Sequence, residues 1–166
     1  SIFTTSTMFK GFVPSKTIYL LLEQSAYKGS DPNKNPSLFK NWGIKQFAQK
    51  INGNVAPLKE HKYDWKNGNV LDSYRSIFDA CGISTLNRSN LLTLKAYKHH
   101  RFMVVYDNSC DGISFDECRE KAQLGTVTCD LEFEEDLETT LTLVGFGITD
   151  DYMALDQGRS AYINCK

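Results

Sequence analysis

The sequence predicts an all-β protein: an antiparallel two-sheet jelly-roll sandwich with one or two short inserted helices. Three observations point there. Short runs rich in Val, Ile, Leu, Phe and Tyr are either continuously apolar or alternate with period two, as buried and half-buried strands do. Helical spacing is confined to two segments between residues 69 and 100. Long connections come early and tight ones late, a mixture that fits a jelly roll best among sandwiches.

The elements follow in order. Residues 16–23, "KTIYLLLE", come after Pro14 and read as a buried strand. Residues 25–42 hold Gly29, Pro32 and Pro36 among polar residues, which predicts a long loop of the kind that makes contacts. In 43–58, Ile44, Gln46 and Ala48 alternate, Asn52-Gly53 signals a hairpin turn, and the pattern resumes at Val55. Residues 61–69 look irregular. Residues 69–82 place Val70, Tyr74, Ile77 and Phe78 on one helical face, with Asn69 as the expected cap and Gly82 as the stop. A second short helix is expected in 88–100, capped by Ser89 or Asn90. Then come a strand at 101–107, "RFMVVYD", and a polar excursion at 108–122.

Residues 124–147 read as a hairpin. Val127, Cys129, Leu131 and Phe133 share one parity, and Thr128, Asp130, Glu132 and Glu134 the other. In a strand, parity means face. The connection is the acidic "EEDLE" at 134–138. Two further strands surround "DQGR" in 152–165. The count is about seven to nine strands. The expected core includes Tyr19, Leu21, Phe102, Val104, Leu131, Phe133, Leu141 and Leu143.

The chain has 166 residues, enough for one domain over 1–166. Its apolar share of 41% and charged share of 23% are those of a soluble globular protein. A net charge of -1 supplies no long-range field for nucleic acid or anionic membrane, so neither is an expected partner. No apolar run approaches the roughly 20 residues that span a bilayer. The first residues lack the basic start and apolar centre of a signal peptide. A start at Ser1 is expected of a processed product or an excised domain. Five cysteines cannot all pair within one chain; reduced thiols are the expectation, with a disulfide among Cys110, Cys118 and Cys129 as the alternative.

No pattern of catalytic residues emerges, and the chain is expected not to be an enzyme. General acid-base chemistry needs two carboxylates facing one cleft. The acidic cluster at 132–138 instead alternates onto the wet face of a strand and into its turn. Asp107, Ser109, Asp111 and Gly112 brush against a calcium-loop pattern, but its twelfth position is Cys118 rather than Glu. The cysteines lack a C-x-x-C pair and His99 and His100 are adjacent, so zinc is not expected. A Cys81–His99 nucleophile pair has no support beyond composition. The basic run "KAYKHHR" sits at a helix end, where cations complement the dipole. No cofactor or metal is expected.

The order of these pieces resembles the C-terminal half of the hexon-like double-jelly-roll major capsid proteins, in the versions carried by polinton and adintovirus-like elements. The similarity begins at "PSKTIYLLLEQSAYKGSDPNKNPSLFKNWGIKQFAQKINGNVAPL" and continues through "NGNVLDSYRSIF" and "NLLTLKAYKHHRFMVVYDNSCD". It ends in "LGTVTCDLEFEEDLETTLTLVGFGITDDYMALDQGR". It covers about residues 14 to 160 and rests on shared order and spacing rather than on any single piece. Cys110, Cys118, Cys129 and Cys165 and the loose ending depart from it.

The resemblance implies a structural capsid module that works by subunit packing. Its partners would be copies of itself or other capsid subunits, with a homotrimer in the parent protein. Its place would be the virion or an intracellular assembly site, with secretion left open. The expected contact residues are Tyr27, Phe39, Trp42, Asp111, Phe115, Glu134 and Glu135. The alternative is an isolated or host-adopted jelly roll that binds protein or glycan through the 25–42 and 108–122 loops.

Overall fold

Period-two alternation becomes strands throughout the computed structural model, which describes residues 2–57, 59–84, 88–109, 112, 123–149, 153–155 and 161–163. The strands are β1 (Ile2–Lys10), β2 (Lys16–Glu23), β3 (Ile44–Ile51), β4 (Asn54–Val55), β5 (His61–Lys62), β6 (Val104–Asp107), β7 (Thr126–Phe133), β8 (Leu141–Ile148), β9 (Met153–Leu155) and β10 (Ala161–Ile163). Three short helices interrupt them: α1 (Gln24–Tyr27), α2 (Leu71–Ala80) and α3 (Leu94–His99).

Two antiparallel sheets form the sandwich. One runs β1-β7-β3, with β4 and β5 both paired to β3; the other runs β6-β2-β8. The pairs β1–β7, β2–β6 and β3–β5 nest one inside the next along the chain. That nesting is what results when one long antiparallel ribbon is rolled up, and it is the wrapping of a jelly roll. The innermost pair is reduced to two residues a side. β9 and β10 pair as a separate two-stranded ribbon; the expected "DQGR" turn between them lies outside the described residues.

The expected hairpin at 124–147 is corrected by this topology. Its two runs are strands, but they do not pair. β7 lies between β1 and β3, whereas β8 pairs with β2 in the other sheet. The acidic connection is an arch from one sheet to the other. Alternation identifies a strand and its faces but carries no information about its partner. The N-terminal run was not foreseen as a strand, yet β1 pairs with β7 along its length.

The helices needed local corrections. Asn69 does not cap α2; its backbone exchanges hydrogen bonds with Asp64, at 3.1 and 2.9 Å. Gly82 does end that helix, at φ 66°. Thr93 caps α3, accepting from the Ala96 N–H at 3.2 Å, while Ser89 and Asn90 make local turns to Leu91 and Leu92. A bulge between Ile44 and Gln46 breaks the expected alternation of β3, so Ile44, Phe47 and Gln49 face inward. Asn52 and Gly53 both take positive φ, 51° and 85°, as the tight hairpin turn requires.

The core lies between the sheets. The Tyr19 ring of β2 meets the Phe47 ring of β3 at 5.2 Å, and Tyr106 of β6 stands 6.3 and 6.2 Å from them. Leu131, Phe133 and Val127 of β7 are buried, as their parity requires; Leu141 and Leu143 are half-buried against the same core. α2 packs beside β6. There a second aromatic group forms, with Tyr63 stacked on Trp65 at 5.2 Å and the edge of Phe102 meeting both.

One polar side chain crosses this interior. Gln49 is fully buried, and its amide oxygen accepts from Thr17 Oγ1 and the Tyr19 hydroxyl, both at 2.6 Å. Its Nε2 donates to Asn108 Oδ1 at 2.6 Å and to the Ala56 carbonyl at 3.4 Å. All four positions of the amide are thereby used. Asn108 in turn donates to the Pro14 carbonyl at 2.9 Å. The network ties β3 to β2 at a fixed register.

Candidate functional site

At one end of the sandwich the 25–42 loop and the acidic connection come together. β2 runs into α1, and the Gln24 N–H donates to the Thr140 carbonyl at 2.9 Å, just before β8. The Glu134 N–H donates to the Gly43 carbonyl at 3.0 Å. The 25–42 loop and the acidic arch at 134–140 therefore form one rim.

Short-range turns hold the loop. Asp31 Oδ1 accepts from the Asn33 N–H and Asn35 Oδ1 from the Ser37 N–H, at 3.0 and 2.8 Å. Lys34 bonds Glu23, and its ammonium holds the Glu23 carboxyl below the usual carboxylate range. Further along, the Asn41 amide donates to the Lys98 carbonyl at 2.8 Å.

The expected contact residues fall into three groups. Tyr27 is 55% exposed, and Glu134 and Glu135 stand in water on the arch. Phe39 and Trp42 are half-buried. The Phe39 backbone bridges to α3 and beyond, donating to the His100 carbonyl and accepting from the Phe102 N–H. Trp42 packs against the core, its Nε1 donates to the Leu21 carbonyl at 3.3 Å, and Lys40 lies 5.4 Å above its ring. Asp111 and Phe115 lie outside the described residues, as does most of the 108–122 loop.

The acidic cluster divides as parity predicts. Glu132 lies on the outward face and pairs with Lys45 at 2.7 Å. Asp130 is nearly covered on that face, held by Thr5 at 2.8 Å and Lys50 at 2.5 Å. Each carboxylate of the strand has its own cation, and neither faces a cleft. Leu137 turns inward from the arch and packs on the core, which anchors the exposed carboxylates around it.

Beside the rim lies one open depression of about 320 Å³, lined by Glu23, Gln24, Ser25, Lys28, Ser30, Thr139 and Thr140. Ligand pockets bury most of their guest against apolar walls. This one is polar, open and partly neutralised by the Glu23–Lys34 pair. Among the described residues, no group of three or more His, Cys, Asp or Glu is placed to hold a metal ion. Asp107 Oδ1 accepts from the Ser109 N–H and hydroxyl, an arrangement of the local turn. Cys81 and Cys129 are free. Cys129 is fully buried, and burial pushes its thiol up to about 12, far from a reactive thiolate.

A second surface was not foreseen. On β2 and β8, Tyr19, Leu21, Leu143 and Gly145 face the core, so Leu20, Val144, Phe146 and Ile148 take the outward parity; Ile18 shares it but is half-buried against the core cluster. Phe146 is 53% and Ile148 48% exposed. β8 contains no charged residue, and among the described strands only β2 pairs with it. The sequence signal was present in "LTLVGFGI", which is apolar on both parities. No helix of the described residues is long and apolar enough to cross a membrane.

Comparison of the chain with protein-family models, curated proteins and solved structures returns no match.

Proposed function

We propose that this chain is a structural capsid module that acts by packing against copies of itself or against other capsid subunits, with a homotrimer as its unit in the parent protein. The observation that carries the reading is the outward face of β2 and β8, joined to an open edge. An apolar sheet face ending in eight uncharged edge residues is a liability in a solitary protein and an asset in an assembly. The resemblance in order and spacing to hexon-like capsid proteins agrees with the nested wrapping. Packing of this kind needs no catalytic group, metal or cofactor.

The exposed Tyr27 and the adjoining rim favour a second reading, a jelly roll that binds protein or glycan through its loops. Size-exclusion chromatography with light scattering separates the two. The capsid reading expects a trimer or larger species whose population grows with concentration. A strict monomer whose melting temperature rises with an added glycan or protein ligand would replace it with the binding module.

A further inference from the structure

Away from both surfaces, the His61 imidazole is buried without a partner among the described residues. The residue is 8% exposed, and neither ring nitrogen hydrogen-bonds to any of them. The ring lies 4.9 Å from that of Tyr106 on β6 and 6.4 Å from Tyr63. Both phenols are engaged elsewhere: Tyr63 with Ser73 at 2.9 Å, and Tyr106 donating to the Phe47 carbonyl at 3.2 Å. A neutral imidazole tolerates such a place. An imidazolium, with two donors and a charge, does not.

The nearby charges do little to change this. Asp72 of α2 favours the cation and Lys59 opposes it. The two pair with each other at 2.7 Å, and both side chains are 67% exposed. Glu60 is turned to Lys62, at 3.0 Å. From β6 and from the chain beyond β5, the ring meets Tyr106 and Tyr63, both uncharged.

The backbone that carries His61 is weakly held. β5 pairs through two residues only, His61 with Phe47 and Lys62 with Gln46. The chain after it is fixed firmly. The Tyr63 N–H donates to the Lys45 carbonyl at 2.9 Å, and Trp65 Nε1 donates to the Ile44 carbonyl at 2.7 Å.

We infer that residues 59–62 are an acid-released clasp on the edge of β3. Protonating His61 expels its ring from beside Tyr106, peels β5 from β3, and frees the backbone edge at Gln46 and Phe47 for another strand. Tyr63 and Trp65 hold the following chain in place, so the opening is local. This device is independent of the capsid reading.

The direction with pH follows from linkage. Burial, aided by Lys59, lowers His61 from its ordinary 6.5 to about 4. Between those values the closed clasp binds fewer protons than the open one. The clasp is therefore fully stable above about pH 6.5, weakens as pH falls, and levels off once pH is well below about 4. From well above 6.5 to well below 4 the opening constant grows by about 300-fold, of which about 100-fold falls between about pH 7 and about pH 4.

The test is hydrogen exchange on the full chain between about pH 7 and about pH 4, corrected for intrinsic exchange, with His61→Phe alongside. In the wild type, amides of residues 59–62 should lose protection on acidification while those of Tyr63 and β7 keep theirs. In His61→Phe, residues 59–62 should stay protected throughout. Equal loss in both proteins, or loss at 59–62 only together with β7, would overturn the clasp. NMR titration of the wild-type ring needs no variant: a midpoint near 4 accompanied by opening supports it, and a midpoint at the ordinary 6.5 overturns it.

Discussion

Leu131 shows what a single side chain reveals through parity alone. It is 2% exposed on the inward face of β7. Leu131→Ala should cost about 2–5 kcal/mol, read from the urea midpoint; a cost near zero would mean that the core closes around the gap. Gln49 is the opposite case. It keeps the same inward parity as Phe47, yet nothing in the sequence marks it as buried, because its partners Thr17, Tyr19 and Asn108 are distant in the chain. Gln49→Leu would leave the hydroxyls of Thr17 and Tyr19 without their acceptor. The loss should be about 2–4 kcal/mol by the same measurement, more than an apolar replacement at an ordinary buried site. His61 was hidden for the same reason. Burial by residues remote in sequence leaves no local trace, whereas burial by strand parity does.

At the level of elements, strands and their faces were legible and their partners were not. β2, β3 and the β9–β10 ribbon stand where alternation and turn residues placed them. The arch was mistaken for a hairpin because both present two alternating runs around a polar turn. Its seven residues, 134–140, and the inward Leu137 belong to a crossing between sheets. The arch carboxylates Glu134 and Glu135 are solvated, and Glu132 on β7 makes only a surface pair with Lys45, so replacing all three by Gln should leave the folded chain within about 0.5 kcal/mol of neutral. Chemical denaturation decides this; a large loss would show that the Glu132–Lys45 pair matters more than a surface pair should. β8 offers a sharper contrast. A Cβ at Gly147 would lie 2.5 Å from Pro14 Cγ and 3.0 Å from the Phe9 ring, whereas at Gly145 the nearest atom is the flexible end of Met8, at 2.7 Å. Gly147→Ala should therefore destabilise by about 1–3 kcal/mol and Gly145→Ala by less, in paired thermal melts. The reverse order would mean that Pro14 yields more readily than Met8.

For the whole molecule, composition and pattern were enough for an all-β two-sheet sandwich, because a period of two in a 166-residue chain leaves few other architectures. The outward apolar face was less legible, since an apolar run reads the same whether its second face meets a helix, a neighbouring molecule or water. Phe146→Asp tests what that face does. In light scattering it should shift the chain toward monomer while circular dichroism stays that of the wild type. Unchanged association would move the contact away from β8. The nested wrapping has a consequence in time as well as in space. Thr5 and Asp130, bonded across β1 and β7, are separated by 125 positions. β7 also supplies the strand between β1 and β3, so that sheet has no middle until residues 126–133 have been made. Such distant closures fold slowly, in about milliseconds to seconds. Until then β1 and β3 are two strands waiting for a third, and a product cut short before residue 126 would keep them waiting.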